Sequence, residues 1–507
     1  MLASLLATTA PAAYQAPVID YHAMAPLIVL IATLVVTIVA DSIMAKENSG
    51  LLSTVVGLGL LGSLIPVLTL AVDDNPARSM FGGAFVVDRF ALLMTALFVI
   101  AGYVTVLIST NYIAEGDYPE GEYYFLILAS VIGMVVMASS RDLISIFVAL
   151  ELLSIPAYLL ASWRKRSKTG IEGGMKYYLM GVFASAVMLY GMSLIFGATG
   201  DTRLTVIGGT LAGSIGASPI ATIGIVFTLV GFAFKVSAVP FHNWAPDTYE
   251  GAPTPITAFL SVASKAAGFV ALLQLIFVGF LGRADVVRPM MFILAVLTMV
   301  VGNVIALRQT NVVRLFAYSS VAQAGFILAP LAVVMDNAKV MDGIRSSLLL
   351  YLIAYSLMNL GAFAVIIAVS RRTGTGDLSS WNGLFSYAPG LAIIMSVFLF
   401  SLGGIPPMVG FIAKFRLFQA VVGAGTASAY LLAVIMAANT VVSMAYYLGL
   451  VRRMWLEEAP DGDTTPIKVP VPIAAAMGLT ALAVLALGIF PNPISELAKS
   501  ATLAIVG

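Results

Sequence analysis

The sequence predicts an all-α polytopic membrane protein of about fourteen transmembrane helices, two of them broken, with two inverted-repeat five-helix units. Three observations carry this expectation. Of 507 residues, 60% are hydrophobic and only 10% charged, whereas an ordinary soluble domain is about 25% charged. Apolar stretches of about 20 residues recur from end to end, each long enough to cross a hydrocarbon core about 30 Å thick. Two of these stretches are too long for one crossing and hold prolines near mid-depth.

In chain order the expected spans are 26–45, 51–72, 84–110, 122–139, 142–163, 172–198, 219–250, 254–281, 288–307, 312–335, 344–370, 386–422, 427–455 and 469–491. The seventh contains FKVSAVPFHNWAPDTYEGAP and the twelfth FSLGGIPPMVGFIAKF. A proline removes a backbone donor and clashes with the preceding turn, so both segments break and leave carbonyls free inside the membrane. A weak internal repeat relates them: Phe232, Phe234, Val239 and Pro240 fall against Phe398, Phe400, Ile405 and Pro406. Interrupted segments at corresponding places in two halves point to a transporter-like architecture. The expected division is residues 1–120 for spans one to three, 121–281 for a first repeat and 282–456 for a second. Residues 457–507 then form the last span and tail.

Lys and Arg set orientation. Loops after odd-numbered spans carry Lys46, the cluster Arg164, Lys165, Arg166 and Lys168, then Arg308, Arg314, Arg371, Arg372, Arg452, Arg453 and Lys468. Those loops are expected to be cytoplasmic, with both termini outside. The opening MLASLLATTAPAA lacks the basic n-region of a secretory signal and is read as an unprocessed N-terminus.

Composition also excludes functions. A net charge of +1 without a clustered basic face argues against a nucleic-acid partner. With no Cys, the chain can build no disulfide, thiolate metal site or iron–sulfur cluster. His22 and His242 are too few for a typical haem or metal centre. Any redox chemistry this protein serves is expected to occur elsewhere. The acidic stretch at 115–122 and the TGTGD at 373–377 read as solvated loops, without calcium-loop spacing.

Almost every charge falls in an expected loop, so the exceptions are informative. Glu151 lies in span five, Lys235 in span seven, Lys265 in span eight and Lys414 just past the break in span twelve. An ionised side chain at the bilayer centre costs at least about 2.5–3.5 kcal/mol. A structural acid–base pair would explain any one of them, but one Glu cannot neutralise three Lys. A buried ammonium gives up its proton readily, and a nearby carboxylate counteracts that tendency, which is the logic of a proton relay. His242, in the break of span seven, is a candidate to pass protons between Lys235 and Lys265, a hydrogen-bonded loop role being the alternative. Asp247 and Glu250 read as interfacial, and Asn303, Gln323 and Asn359 as interhelical glue.

The segment KVSAVPFHNWAPDTYEGAPTPITAFLSVASKAAGF, with ALELLSIPAY, KYYLMGVFASA, GNVIALRQTNVVRLFAYSSVAQAGF and GGIPPMVGFIAKF, resembles the antiporter-like proton-translocating subunits of bacterial respiratory complex I. The likeness covers roughly 80–455 and is greatest to the subunit N branch, which has Lys at positions 265 and 414. It implies a non-redox membrane-arm subunit of NADH:quinone oxidoreductase in the bacterial plasma membrane. It would be flanked by subunit M-like and subunit K-like neighbours and by lipid. NADH, FMN, iron–sulfur clusters and quinone would be bound by other subunits, with no cofactor here. It implies that Glu151 and Lys235 form a charge pair, that Lys265 is the connecting lysine, and that Lys414 stands toward an exit half-channel. Val313 and Gln323 depart from the Lys and His that the family commonly has there. A stand-alone cation/proton antiporter is the rival expectation, and a scaffold whose lysines serve assembly alone is a third.

Overall fold

The computed structural model describes residues 18–43, 49–73, 77–116, 118–335, 337–462 and 465–504. The expected unprocessed N-terminus, MLASLLATTAPAA, lies outside them. The chain folds as helices α1 (Tyr21–Ile43), α2 (Ser49–Ala71), α3 (Arg89–Glu115), α4 (Glu120–Ser139), α5 (Leu143–Ala161), α6 (Lys168–Thr199), α7 (Leu204–Leu211), α8 (Pro219–Lys235), α9 (Trp244–Gly251), α10 (Thr254–Phe259), α11 (Lys265–Gln274), α12 (Ala284–Ala306), α13 (Val312–Leu328), α14 (Ala338–Thr373), α15 (Leu384–Tyr387), α16 (Pro389–Gly403), α17 (Val409–Val422), α18 (Ala427–Leu456), α19 (Val471–Ile489) and α20 (Asn492–Ser500). A two-stranded antiparallel ribbon, β1 (Ala77–Met80) with β2 (Phe85–Asp88), precedes α3.

Among the described residues twelve helices are long and apolar enough to cross a membrane. The expected count of fourteen is thus not met by continuous spanning helices. The two remaining segments are the proline-bearing ones, and both are divided. α8 stops at Lys235 and α9 starts at Trp244, while α16 stops at Gly403 and α17 starts at Val409. Between α8 and α9 the buried Ser237 takes a left-handed φ of 60°, uncommon for a residue with a Cβ. Gly404 caps α16 with φ 87°, the conformation glycine adopts without cost.

Helices α10, α11, α13 and α14 form the interior; the 254–279 span is buried along nearly its whole length. α1, α2, α6, α18 and α19 lie outside with apolar side chains exposed, as helices facing lipid or a neighbour do. Where α6 crosses α8, a Cβ on Gly191 would sit 2.6 Å from the Thr228 nitrogen, so only glycine allows that approach.

One buried ion pair joins Asp88 and Arg141. Arg141 Nη2 donates to Asp88 Oδ2 at 2.8 Å, and the side chains are 2% and 0% exposed. Asp88 also caps α3 by accepting from the Ala91 nitrogen and accepts from the Ala504 nitrogen, each at 2.8 Å. The ribbon, the α4–α5 connection and the C-terminal tail therefore meet at one carboxylate.

Candidate functional site

Lys235 and Lys265 sit where a helix is irregular, and Lys414 reaches the end of a broken one. Lys235 is the last residue of α8, at the break, and is 4% exposed. Its Nζ donates to Ser154 Oγ at 2.8 Å and Tyr177 Oη at 3.2 Å, and lies 5.7 Å from the Tyr177 ring centroid. Tyr177 is held by Trp244, stacked on it with centroids 4.3 Å apart. Trp244 is fixed in turn by donating its indole N–H to the Phe234 carbonyl at 3.2 Å, a carbonyl at the end of α8.

Glu151 lies on α5, three residues before Ser154 and so on the same helix face. It is partly exposed, beside the outward Val148, Leu152 and Ile155. Its Oε1 is buried without a hydrogen-bond partner among the described residues. The carboxylate is near enough for its charge to act on Lys235. The ammonium itself rests on the serine one turn away, so the two groups are neighbours without a direct ion pair.

Lys265, 2% exposed, follows directly on a π-helical turn, Leu260–Ser264. Such turns frequently mark functional positions, because the widened coil re-aims one side chain. Its Nζ donates to the Ser320 carbonyl at 3.0 Å and to Ser320 Oγ at 2.5 Å. One turn on, a Cβ at Gly268 would lie 3.2 Å from Lys235 Cγ, so the stem of Lys235 packs directly on the helix that carries Lys265. Ser264 adjoins the Tyr177 hydroxyl. The hydroxyls of Tyr249 and Tyr355 adjoin Ser320 and have no partner at hydrogen-bond distance among the described residues.

Lys414, 4% exposed on α17, turns back to the broken end of α16, where Nζ donates to the Gly403 carbonyl at 3.4 Å. It also lies 4.9 Å from the Phe326 ring centroid. A helix C-terminus presents free carbonyls and partial negative charge, which suits an ammonium. The preceding carbonyl, Leu402, accepts from Gln323 Nε2 at 3.4 Å. Gln323 Nε2 also donates to Tyr447 Oη at 3.1 Å, and Gln323 Oε1 accepts from Tyr351. Tyr447 Oη is 2.5 Å from Ser319 Oγ. Ser319, Ser320, Gln323 and Phe326 recur at helical spacing on α13, so one face of that helix runs from Lys265 to Lys414.

His242 is buried in the break between α8 and α9, with Nδ1 unpartnered among the described residues and its ring 6.4 Å from that of Tyr318. Among the described residues it is hydrogen-bonded to neither Lys235 nor Lys265. Asp247 accepts from Lys176 at 2.6 Å and Arg314 at 2.9 Å, and Glu250 accepts from Arg314 at 2.7 Å, an ion-pair network in keeping with an interfacial place. No group of three or more His, Cys, Asp or Glu side chains that could hold a metal occurs among the described residues.

Sequence reasoning missed Ser154, Tyr177, Ser237, Ser319, Ser320, Tyr351 and Tyr447, and ranked Gln323 as glue. Ser and Tyr are common in membrane helices and cheap to bury, so their presence carries little signal. The spacing of Ser319, Ser320 and Gln323 on one face was the available hint.

The family profile described as NADH:quinone oxidoreductase/Mrp antiporter, TM, matches residues 140–443. The chain is 40% identical over 487 residues to NADH-quinone oxidoreductase subunit N 1 of Koribacter versatilis, covering 93% of each. It is 38% identical over 490 residues to NADH-quinone oxidoreductase subunit N of Trichlorobacter lovleyi, covering 96% of this chain and 98% of that one. Among solved structures it is similar to a chain of respiratory complex I from Thermus thermophilus, with a TM-score of 0.77, 31% identity, and coverage of 94% and 99%. A chain of the Mrp complex from Dietzia sp. shares the fold, with a TM-score of 0.82 at 20% identity and coverage of 95% and 97%.

Proposed function

The chain belongs to the NADH:quinone oxidoreductase/Mrp antiporter membrane family and, within it, to the NADH-quinone oxidoreductase subunit N group, and from that premise we propose that it is a proton-conducting membrane-arm subunit of NADH:quinone oxidoreductase. The observation that carries the reading is the buried line of Lys235, Lys265 and Lys414. None of the three is ion-paired among the described residues, and side-chain hydroxyls, an amide and freed carbonyls fill the way between them.

The relay works as follows. While its Nζ is near Glu151, Lys235 keeps its proton; drawn toward Tyr177, it loses that support and the proton moves on. Ser154 is the resting place between, one turn from the carboxylate. Lys265 takes the proton beside Ser264 and passes it along the Ser320–Ser319–Tyr447–Gln323 face. An amide cannot ionise, so Gln323 orients Tyr447 and Tyr351 while hydroxyls and water carry the charge. Lys414 receives the proton at the carbonyl end of α16 and exchanges it with an exit half-channel or the adjoining subunit. His242 is a side station of this path.

In this reading quinone reduction, with NADH, FMN and iron–sulfur clusters, belongs to other subunits. The neighbours are the M-like and K-like subunits of a bacterial plasma-membrane complex, with both termini outside. Residues 121–281 and 282–456 are the two repeats that carry the broken helices. The test is the proton-to-electron ratio of the assembled complex carrying Glu151→Ala or Lys235→Ala. The ratio should fall in both, and a normal ratio in both overturns the relay. A stand-alone antiporter is the second and less supported reading. Sodium transport by the reconstituted subunit without NADH or quinone would establish it instead.

A further inference from the structure

A second site lies away from the lysines, at the end of the bundle where α1 and α5 finish and α4 and α6 begin. A groove of about 640 Å³ opens there, lined by Ile38, Asp41, Gly121, Glu122, Phe125, Leu126, Leu159, Ser162, Trp163, Lys165 and Ile171 among others. Its lower wall is apolar, and Ile38, Leu159 and Ile171 are also exposed on the outer surface of the bundle. The groove therefore opens sideways, toward hydrocarbon.

Its upper rim is charged with both signs. Asp41 packs against the first turn of α4, its carboxyl filling the space a Cβ on Gly121 would need. With Glu120 and Glu122, also in that turn, it makes three carboxylates, none in an ion pair among the described residues. Glu120 Oε2 is buried without a partner. Across the groove, Lys165 Nζ lies 5.8 Å from the centroid of the Trp163 ring, and it too has no ion-pair partner among the described residues. Trp163 is 6% exposed, and its indole N–H finds no acceptor among the described residues. A buried tryptophan N–H usually has one.

We propose that this groove binds a zwitterionic aminophospholipid. Its ammonium is held by Asp41 and Glu122, its phosphate by Lys165, and a phosphate or ester oxygen accepts the Trp163 N–H. The first part of an acyl chain lies along Phe125, Leu126 and Leu159. A cation between unpaired carboxylates, an anion beside the Lys165 ammonium, and an acyl chain at the open side match one molecule with all three parts. An anionic lipid without an amine would leave Asp41 and Glu122 with no cation between them. The bound lipid would brace α5 against α6, the helices that supply Ser154 and Tyr177 to Lys235.

The test is made on the whole complex, exchanged into nanodiscs of equal phosphatidylethanolamine and phosphatidylglycerol, then extracted in detergent, with retained lipid counted by mass spectrometry. Trp163→Phe keeps the ring and loses only the N–H; Asp41→Asn keeps the size and loses the charge. The wild-type complex should retain phosphatidylethanolamine over phosphatidylglycerol, and each variant should lower that retention about fivefold. Equal retention of the two lipids, unchanged retention in both variants, or a neighbouring subunit's helix filling the groove in an electron-microscopy map of the complex would each overturn the proposal. Should Trp163→Phe impair assembly, Asp41→Asn, at an exposed position, decides alone.

Discussion

At the scale of single residues, the site depends on what each lysine touches. Lys235 is cradled by Ser154 and Tyr177 and presses on Gly268. A Cβ at 268 would also come within 2.9 Å of Val236 Cγ1. Gly268→Ala should therefore push the lysine off the Lys265 helix and lower the proton-to-electron ratio while assembly persists, whereas an unchanged ratio would show that the approach of the two helices is immaterial. Tyr447 tests the other link. Tyr447→Phe removes a hydroxyl shared by Ser319 and Gln323. Losing one such hydrogen bond costs roughly 1 kcal/mol, so coupled proton transfer should slow about fivefold, measured as acidification rate in proteoliposomes at matched electron flux. Gln323→Leu, which takes the acceptor from Tyr351 and one of the two partners from Tyr447, should do more damage than Tyr447→Phe alone.

At the scale of elements, the broken helices matter because a break frees backbone carbonyls inside the membrane. The end of α16 supplies Leu402 and Gly403 to Gln323 and Lys414. Its cap, Gly404, has φ 87°, and a Cβ there would sit 3.1 Å from Lys414 Cδ. Gly404→Ala should cost about 1–2 kcal/mol of backbone strain and displace Lys414. The expected result is a lowered thermal midpoint of the complex together with reduced pumping. A loss of stability with pumping intact would separate the cap from the relay. α13 is the complementary element, a continuous helix that runs beside both lysines and carries the residues between them.

At the scale of the whole molecule, the buried pair Asp88–Arg141 ties the ribbon, the α4–α5 connection and the tail near Ala504. Removing one partner of such a pair strands a charge and costs about 3–5 kcal/mol. Asp88→Ala should therefore deplete the assembled subunit from membranes, read by native gel. A double variant replacing both partners with apolar residues should recover much of the level. If Asp88→Ala accumulates normally, the tail is anchored by its apolar contacts instead. Nothing in the linear pattern set Arg141 apart from the other basic residues of the connections, since what makes it structural is a carboxylate 53 residues away.

The sequence by itself determined the membrane class, the order of the helices, the two breaks and the four charges that remain within spans. Each of these follows from local physics: hydropathy over about 20 residues, proline's missing donor, and the cost of a charge in hydrocarbon. Only the tertiary structure decided which partner each charge has. Lys235 reaches Ser154, one turn from Glu151 on α5, rather than Glu151 itself, Lys265 reaches Ser320, and Lys414 reaches back to Gly403. Those contacts join residues far apart in the chain through hydroxyls and carbonyls that are common everywhere in such a sequence, and proximity alone gives them a role.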